Sequence, residues 1–475
     1  MAGPRAAPVP RRPGQAAAGP VSAAPMHRFL GADGARDPYT PFVGCCAATV
    51  EHYDLDLDYD VEDNGLEARA TLSCRALHDT DRIELDLTEL AVTDVRFGTG
   101  GLGGLLGGRR VRADHRGSRL VLTLPRVVAA GEAFTLTVAY EGYPESLDGP
   151  WGEIGWAELD DGVLVAGQPT GSSTWFPCVD HPSHKATYRV AVHADADYEV
   201  VVHGELESVV ERDGERHWVY TSRVPLPPYL ATVQIGPYER HELSGSRVPQ
   251  YLVCSRKRRK KAEKTFAEQG RMIEVFNDWF GPYPFPSYTV VVVDESLEDP
   301  FECYACSVFG KNQLGTDWEE QRLVAHELAH QWFGNSLVLS AWQDIWLNEG
   351  FASYAEWIWS EASGDRPARW HAEKAHRTLT KMRQDLVIGD PGQVRLFDDV
   401  VYVRGALTVH AIRETVGEDA FRALLRGWAT ANRDGWVSTA GFREHLRGFV
   451  PRDRWAEVDG LLDAWLLRRE LPALP

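Results

Sequence analysis

QRLVAHELAHQWFG, residues 321–334, decides how this chain folds and what it holds. Inside it, His326-Glu327-Leu328-Ala329-His330 places two histidines four positions apart. On a helix, positions i and i+4 share a face, so both imidazoles can meet one metal ion, with Glu327 beside them to handle protons. Taken alone, the pattern also suits a surface helix that carries two histidines. Glu349, in DIWLNEGFASYAEW (residues 344–357), follows His330 with eighteen residues between. A helix, a short connection and a second, antiparallel helix bring Glu349 back beside His326 and His330. Two histidines and one glutamate leave the fourth tetrahedral position open, the arrangement of a catalytic rather than a structural zinc. One Zn2+ per chain is therefore expected, held by His326, His330 and Glu349.

Outward from this stretch the chain changes texture once. From about residue 49 to 240 it alternates with period two: TVEHYDLDLDYDV puts Tyr53, Leu55, Leu57 and Tyr59 on one face. RIELDLTEL, RLVLTLP, FTLTVAYEG, TYRVAVHA and EVVVHGELES continue the theme between Gly, Asp and Pro turns, which predicts an all-β domain, a sandwich or saddle-like assembly. Further on, KKAEKTFAEQGRMIEVFNDWFG predicts a helix, SYTVVVVDE a buried strand, and nearly everything after about residue 317 is helical. The expected class is α+β multidomain: a tail over 1–37, a β domain over 38–245, and a mostly helical catalytic domain over 246–475.

The 475 residues, 44% hydrophobic with sixteen tryptophans, supply ample core. Fifty basic against 69 acidic side chains give a net charge of −19, which argues against nucleic acid or an anionic membrane as the main partner. Seven irregularly spaced cysteines make no disulfide framework and fit a reducing compartment, so a cytoplasmic location is expected, with secretion the alternative. No apolar run is long enough for a transmembrane helix. The first 37 residues are rich in Ala, Pro, Gly and Arg. Arg11-Arg12 hints at a twin-arginine signal, but prolines interrupt the segment after the pair, and a disordered tail is expected.

HELAHQWFGN followed by DIWLNEGFASYAE closely resembles the gluzincin aminopeptidases, the family of aminopeptidase N and the leukotriene-hydrolysing aminopeptidase. WFPCVDHPSHKATYRV resembles that family's FPC-x-D-x-P-x-x-KAT segment, and VYVRGAL its V-Y-x-K-G segment. The resemblance spans most of residues 45–475 and implies a saddle-like β domain before a thermolysin-like catalytic domain. The end of the chain coincides with the end of the family's thermolysin-like domain, which implies a short member without the C-terminal helical domain of many relatives. It also implies that Tyr402 is the catalytic tyrosine and Glu327 the general base. Glu302, in DPFEC, stands where the family's G-A-M-E-N loop has the glutamate that captures the substrate's ammonium group; Gln168 stands at a second ammonium contact.

The loop departs from the family pattern. Asp299 and Pro300 replace its Gly-Ala, Pro300 removes a backbone donor, and Cys303 replaces its Asn. If residues 301–309 form one strand, Cys303 and Cys306 point to opposite sides and share neither a metal nor a disulfide. His181 and His184 do not form a second metal site with them, since Pro182 makes the local ligand geometry awkward. The basic run at 255–264 is expected to be a solvated helix face. Glu356 and Asp344 are candidate partners for the histidines. The function expected is a zinc aminopeptidase acting on peptides with a free N-terminus; a gluzincin endopeptidase and a non-catalytic zinc-binding interaction protein are the alternatives. Oligomeric state is not legible.

Overall fold

Alternating apolar and acidic residues make a strand with one dry and one wet face. In β1 (Ala48–Asp60), Tyr53, Leu55, Leu57 and Tyr59 are each at most 2% exposed, and the aspartates between them are half-buried or exposed. The computed structural model describes residues 36–98 and 108–475, so all but the last two residues of the expected tail, with its Arg11-Arg12 pair, lie outside the described residues. Asp37, at the end of that stretch, is buried and accepts a hydrogen bond from the Trp342 N–H (2.7 Å).

The N-terminal half is β-rich, as its alternation predicts. β1 pairs antiparallel with β2 (Gly65–Ala76), which pairs with β3 (Ala133–Gly142); on its other side β1 pairs parallel with β4 (Ala186–Asp195), followed by β5 (Glu215–Leu226). These are the middle of an eight-stranded sheet, with separate five- and three-stranded sheets beside it. EVVVHGELES is two strands rather than one. At Gly204 (φ +100°) the chain leaves the five-stranded sheet and enters the edge of the eight-stranded one. A Cβ there would sit 2.7 Å from the Thr221 carbonyl oxygen, so only glycine makes the switch.

The second half opens with a five-stranded sheet: β6 (Glu239–Leu243), β7 (Gln250–Cys254), β8 (Tyr288–Val292), β9 (Phe301–Cys303) and β10 (Cys306–Phe309), in the order β6-β7-β8-β10-β9. The helix expected over 260–281 is two, α1 (Arg259–Thr265) and α2 (Gln269–Phe280). Neither Gly nor Pro marks the break. Gln321 reaches the Thr265 carbonyl (2.8 Å) and the Gly315 N–H donates to the Thr265 hydroxyl (2.9 Å), so tertiary bonds take the place of the helical ones. Then come α3 (Trp318–His330), α4 (Trp346–Ser363), α5 (Asp399–Val416) and α6 (Trp455–Leu466), with further helices between them. Along the basic run, Lys257 and Arg258 pair with Asp294 and Arg259 pairs with Glu263. No helix of the described residues is long and apolar enough to cross a membrane.

FECYACSVF is a hairpin, which corrects the single strand expected there. Ala305 takes a left-handed backbone (φ +54°), reversing the chain after Cys303, and Cys303 becomes the direct cross-strand partner of Cys306. The two thiols therefore lie on one face of the sheet, not on opposite faces, and both are free and buried against Val253, Val291 and Val308. Burial raises both thiol pKa values, that of Cys306 to about 12.

Candidate active site and metal centre

α3 carries its last turn into the core, with His326, Glu327 and His330 all buried. α4 packs against it and brings in Glu349 from its first turn. One donor atom from each of His326, His330 and Glu349 lies within 4.8 Å of the others. The Nε2 atoms of His326 and His330 stand 3.5 and 3.4 Å from the same Glu349 oxygen. Their other nitrogens are engaged: His326 Nδ1 meets Glu356 Oε1 at 2.8 Å, and His330 Nδ1 meets the Phe333 carbonyl at 3.0 Å. Both rings are thus oriented with Nε2 toward one point, an N,N,O donor set that suits zinc. Among the two candidate partners, Glu356 faces the histidine; Asp344 instead accepts from the Thr439 hydroxyl (2.5 Å). Arg322 lies 3.6 Å from the other Glu356 oxygen. Glu356→Ala should weaken zinc affinity by about 10–100-fold, measured by competition with a chelator.

The surrounding charge is carboxylate-rich. Burial alone would lower His326, yet hydrogen bonds to Glu349 and Glu356 raise it to about 9. Burial would likewise raise Glu349, but His330 and His326 hold it down to about 2. Glu327 is pushed up to about 8 by burial, against the pull of both histidines. Four glutamates around two imidazoles make a place that favours a cation.

Glu302, on β9, faces this cluster. Its Oε1 lies 4.0 Å from His330 Nδ1, and Glu302, Glu327 and His330 form a second group whose donor atoms come within 4.8 Å. Among the described residues, Glu302 Oε1 and Glu327 Oε2 are buried with no hydrogen-bond partner. A buried carboxylate oxygen without a protein partner calls for one from outside the chain, such as a water, an ion or a substrate group. Tyr402, on the first turn of α5, stacks its ring beside His326 at 5.9 Å between centroids. Burial and then the charges of Glu349, Glu302, Asp299 and Glu327 raise its pKa well above the ordinary phenol, so it stays protonated and able to donate.

Glycine brings Glu349 and Tyr402 together. α4 and α5 touch at Gly350 and Gly405, where a Cβ on either would come within 2.7 Å of the other's Cα. Only a glycine pair allows this approach, and each glycine sits within three residues of a site side chain. Arg404, one position before Gly405, is buried and donates to carbonyls at the end of α6, Trp465 and Ala464 among them, tying that helix to α5. Gln331 and Asn335, just past α3, donate to the Cys303 carbonyl at 3.3 and 2.7 Å and hold the hairpin that presents Glu302. Sequence reasoning missed both, although they lie in the HQWFGN run that it used. Gln168 enters from the β-rich half and is half-buried, with its Nε2 end buried and unpartnered. Among the described residues no hydrogen bond joins it to the cluster. Its neighbour Gly167 packs on the Tyr229 backbone, and the Tyr229 phenol feels the charges of Glu302 and Glu349.

Two family models match the chain: the peptidase M1 N-terminal domain over residues 49–230 and the peptidase family M1 domain over residues 265–465. A crystal structure of an M1 zinc metallopeptidase mutant from Deinococcus radiodurans superposes with a TM-score of 0.83 at 30% identity, covering 92% of this chain and 99% of that one. The chain belongs to the M1 peptidase family. Another structure of that Deinococcus M1 peptidase, bound to a Tyr-Ser-Ala substrate, also has a TM-score of 0.83. Among curated relatives, the human endoplasmic reticulum aminopeptidase 1 is 25% identical over 77% of this chain and 44% of its own length. The leucyl aminopeptidase of Saccharolobus solfataricus is 26% identical over 59% of this chain and 39% of its own length. The chain thus spans less than half the length of these two curated M1 relatives.

Proposed function

We propose that this M1 family member is a zinc-dependent aminopeptidase that removes the first residue of peptides bearing a free N-terminus. The observation that carries the proposal is the buried Glu302 carboxylate, one oxygen of which has no hydrogen-bond partner among the described residues, beside the His326, His330 and Glu349 donor set. A zinc ion held by those three residues would supply Lewis acidity to the substrate carbonyl and to water. Glu327, with a buried oxygen free to accept, takes the proton of the attacking water and delivers it to the departing amine. Tyr402, kept protonated by its surroundings, donates to the oxyanion that develops on the carbonyl. Glu302 holds the substrate's ammonium group by a charge-assisted hydrogen bond, which fixes cleavage at the first peptide bond. Gln168 assists there: amide nitrogen and oxygen are interchangeable assignments, and with the amide turned its buried end presents an acceptor.

Tyr402→Phe should keep zinc and fold while kcat falls by roughly 10²–10³-fold, read from steady-state kinetics on aminoacyl amides. A loss carried in KM alone, with kcat intact, would contradict the donor role. Seven free cysteines support a reducing, cytoplasmic setting. The division into a β domain over 38–245 and a catalytic domain over 246–475 is the proposed organisation, with the pairing of β6 to β7 crossing that boundary, so that β6 goes with the sheet of the catalytic half. The proposal as a whole is tested on paired aminoacyl amides with free and acetylated amines, of which the zinc-loaded protein should cleave only the free set.

A further inference from the structure

Among the described residues β9 is the last strand of its sheet, so one side of it has no strand partner. The hydrogen bonds further in determine which of its peptide groups face that side. The Thr289 N–H donates to the Ala305 carbonyl (3.0 Å) and the Val293 N–H to the Phe309 carbonyl (2.9 Å). Peptide groups along a strand alternate sides with period two, so Ala305, Ser307 and Phe309 turn toward β8, while Cys306 and Val308 turn toward β9. Their partners across the hairpin are Cys303 and Phe301. Glu302, opposite Ser307, therefore turns its N–H and C=O away from the sheet. Carried one step past the strand, the same alternation turns the carbonyl of Pro300, a buried residue just before Phe301, to that side as well. Proline has no N–H. From the hairpin turn outward, this edge offers an acceptor and an N–H at Glu302, the N–H already turned to its own carboxylate, then an acceptor alone at Pro300.

A peptide with its ammonium group at the Glu302 carboxylate and its chain laid along β9 meets this edge as an added strand. Its amide N–H can donate to the Pro300 carbonyl. The carbonyl of its second residue finds no donor there. Resting on the aminopeptidase proposal, we infer that Pro300 makes main-chain recognition one-sided, so that selectivity is carried by the first residue and extending the substrate past the scissile bond adds little. The competing explanation is that Pro300 only guards an edge strand against pairing with other chains.

Two measurements separate these explanations. In the zinc-loaded full chain, kcat/KM is compared for an aminoacyl coumarin amide and a tripeptide with the same first residue. Pro300→Ala restores the missing donor, and the tripeptide-to-coumarin ratio should rise about three- to tenfold, the worth of one ordinary hydrogen bond. An unchanged ratio overturns the inference and leaves the edge-guard role. The second comparison needs no variant: wild-type cleavage of the tripeptide against an aminoacyl alkylamide in which a methyl group replaces the second carbonyl and everything beyond it. The two should agree within about twofold, and a fall of about tenfold or more would mean that the carbonyl is held after all. If the wild type cleaves neither the coumarin amide nor the tripeptide, the aminopeptidase proposal fails instead.

Discussion

Glu327→Gln will bind one zinc ion per chain and turn over peptides roughly 10²–10⁴-fold more slowly than the wild type. The side chain keeps its size and its place in the last turn of α3, and the expected donors His326, His330 and Glu349 are untouched. What is lost is a buried oxygen, without a protein partner, that can take a proton and give it back. An amide in its place can accept a hydrogen bond but is not basic enough to accept a proton from water. Metal analysis of the purified variant checks the first half of the expectation and kinetics the second. Survival of most of the activity would show that the proton route assigned to Glu327 is wrong. Loss of zinc would instead mean that Glu327 belongs to the metal centre.

Glu302→Ala removes the only group proposed to give the ammonium ion a buried counter-charge. Truncating one partner of a buried, hydrogen-bonded charge pair typically costs 2–5 kcal/mol, so kcat/KM on free-amine peptides should fall on the order of a hundredfold or more. The variant should still bind one zinc ion per chain, because what is removed is a counter-charge and none of the expected metal donors His326, His330 and Glu349. Loss of zinc together with activity would mean that Glu302 holds the site together rather than reading the amine. Gln331 and Asn335, which fix the hairpin from the carbonyl side, are independent of that charge and keep the strand in place in the variant.

Which parts of this site could be foreseen depends on the range of the interactions involved. His326, Glu327 and His330 are legible because one helical turn enforces their proximity, and Glu349 because the next helix must return along the first. The inner face of β1 is legible for the same kind of reason: period two is local, and Tyr53, Leu55, Leu57 and Tyr59 are all buried. Glu302 and Tyr402 are placed by family resemblance, since no local pattern distinguishes them from packed side chains. The reversal at Tyr304-Ala305 carries no turn residue. Side chains from beyond α3 and the Leu230 carbonyl, which accepts from the Tyr304 N–H (3.2 Å), impose it from outside. The contact of Gly350 with Gly405 spans fifty-five positions and appears only when the helices cross. Glu356 could be foreseen as a candidate because it lies two turns past Glu349 on the same helix; Asp344, equally acidic and near in sequence, turns to Thr439.

The central claim is that a zinc centre and the Glu302 carboxylate act together on the first peptide bond. Its most direct measurement is cleavage of a panel of aminoacyl coumarin amides and their N-acetylated counterparts, with and without a metal chelator. The account predicts cleavage of free-amine substrates only, abolished by the chelator and restored by added zinc. Cleavage of the acetylated set by zinc-loaded protein, with the free-amine set untouched, would contradict it.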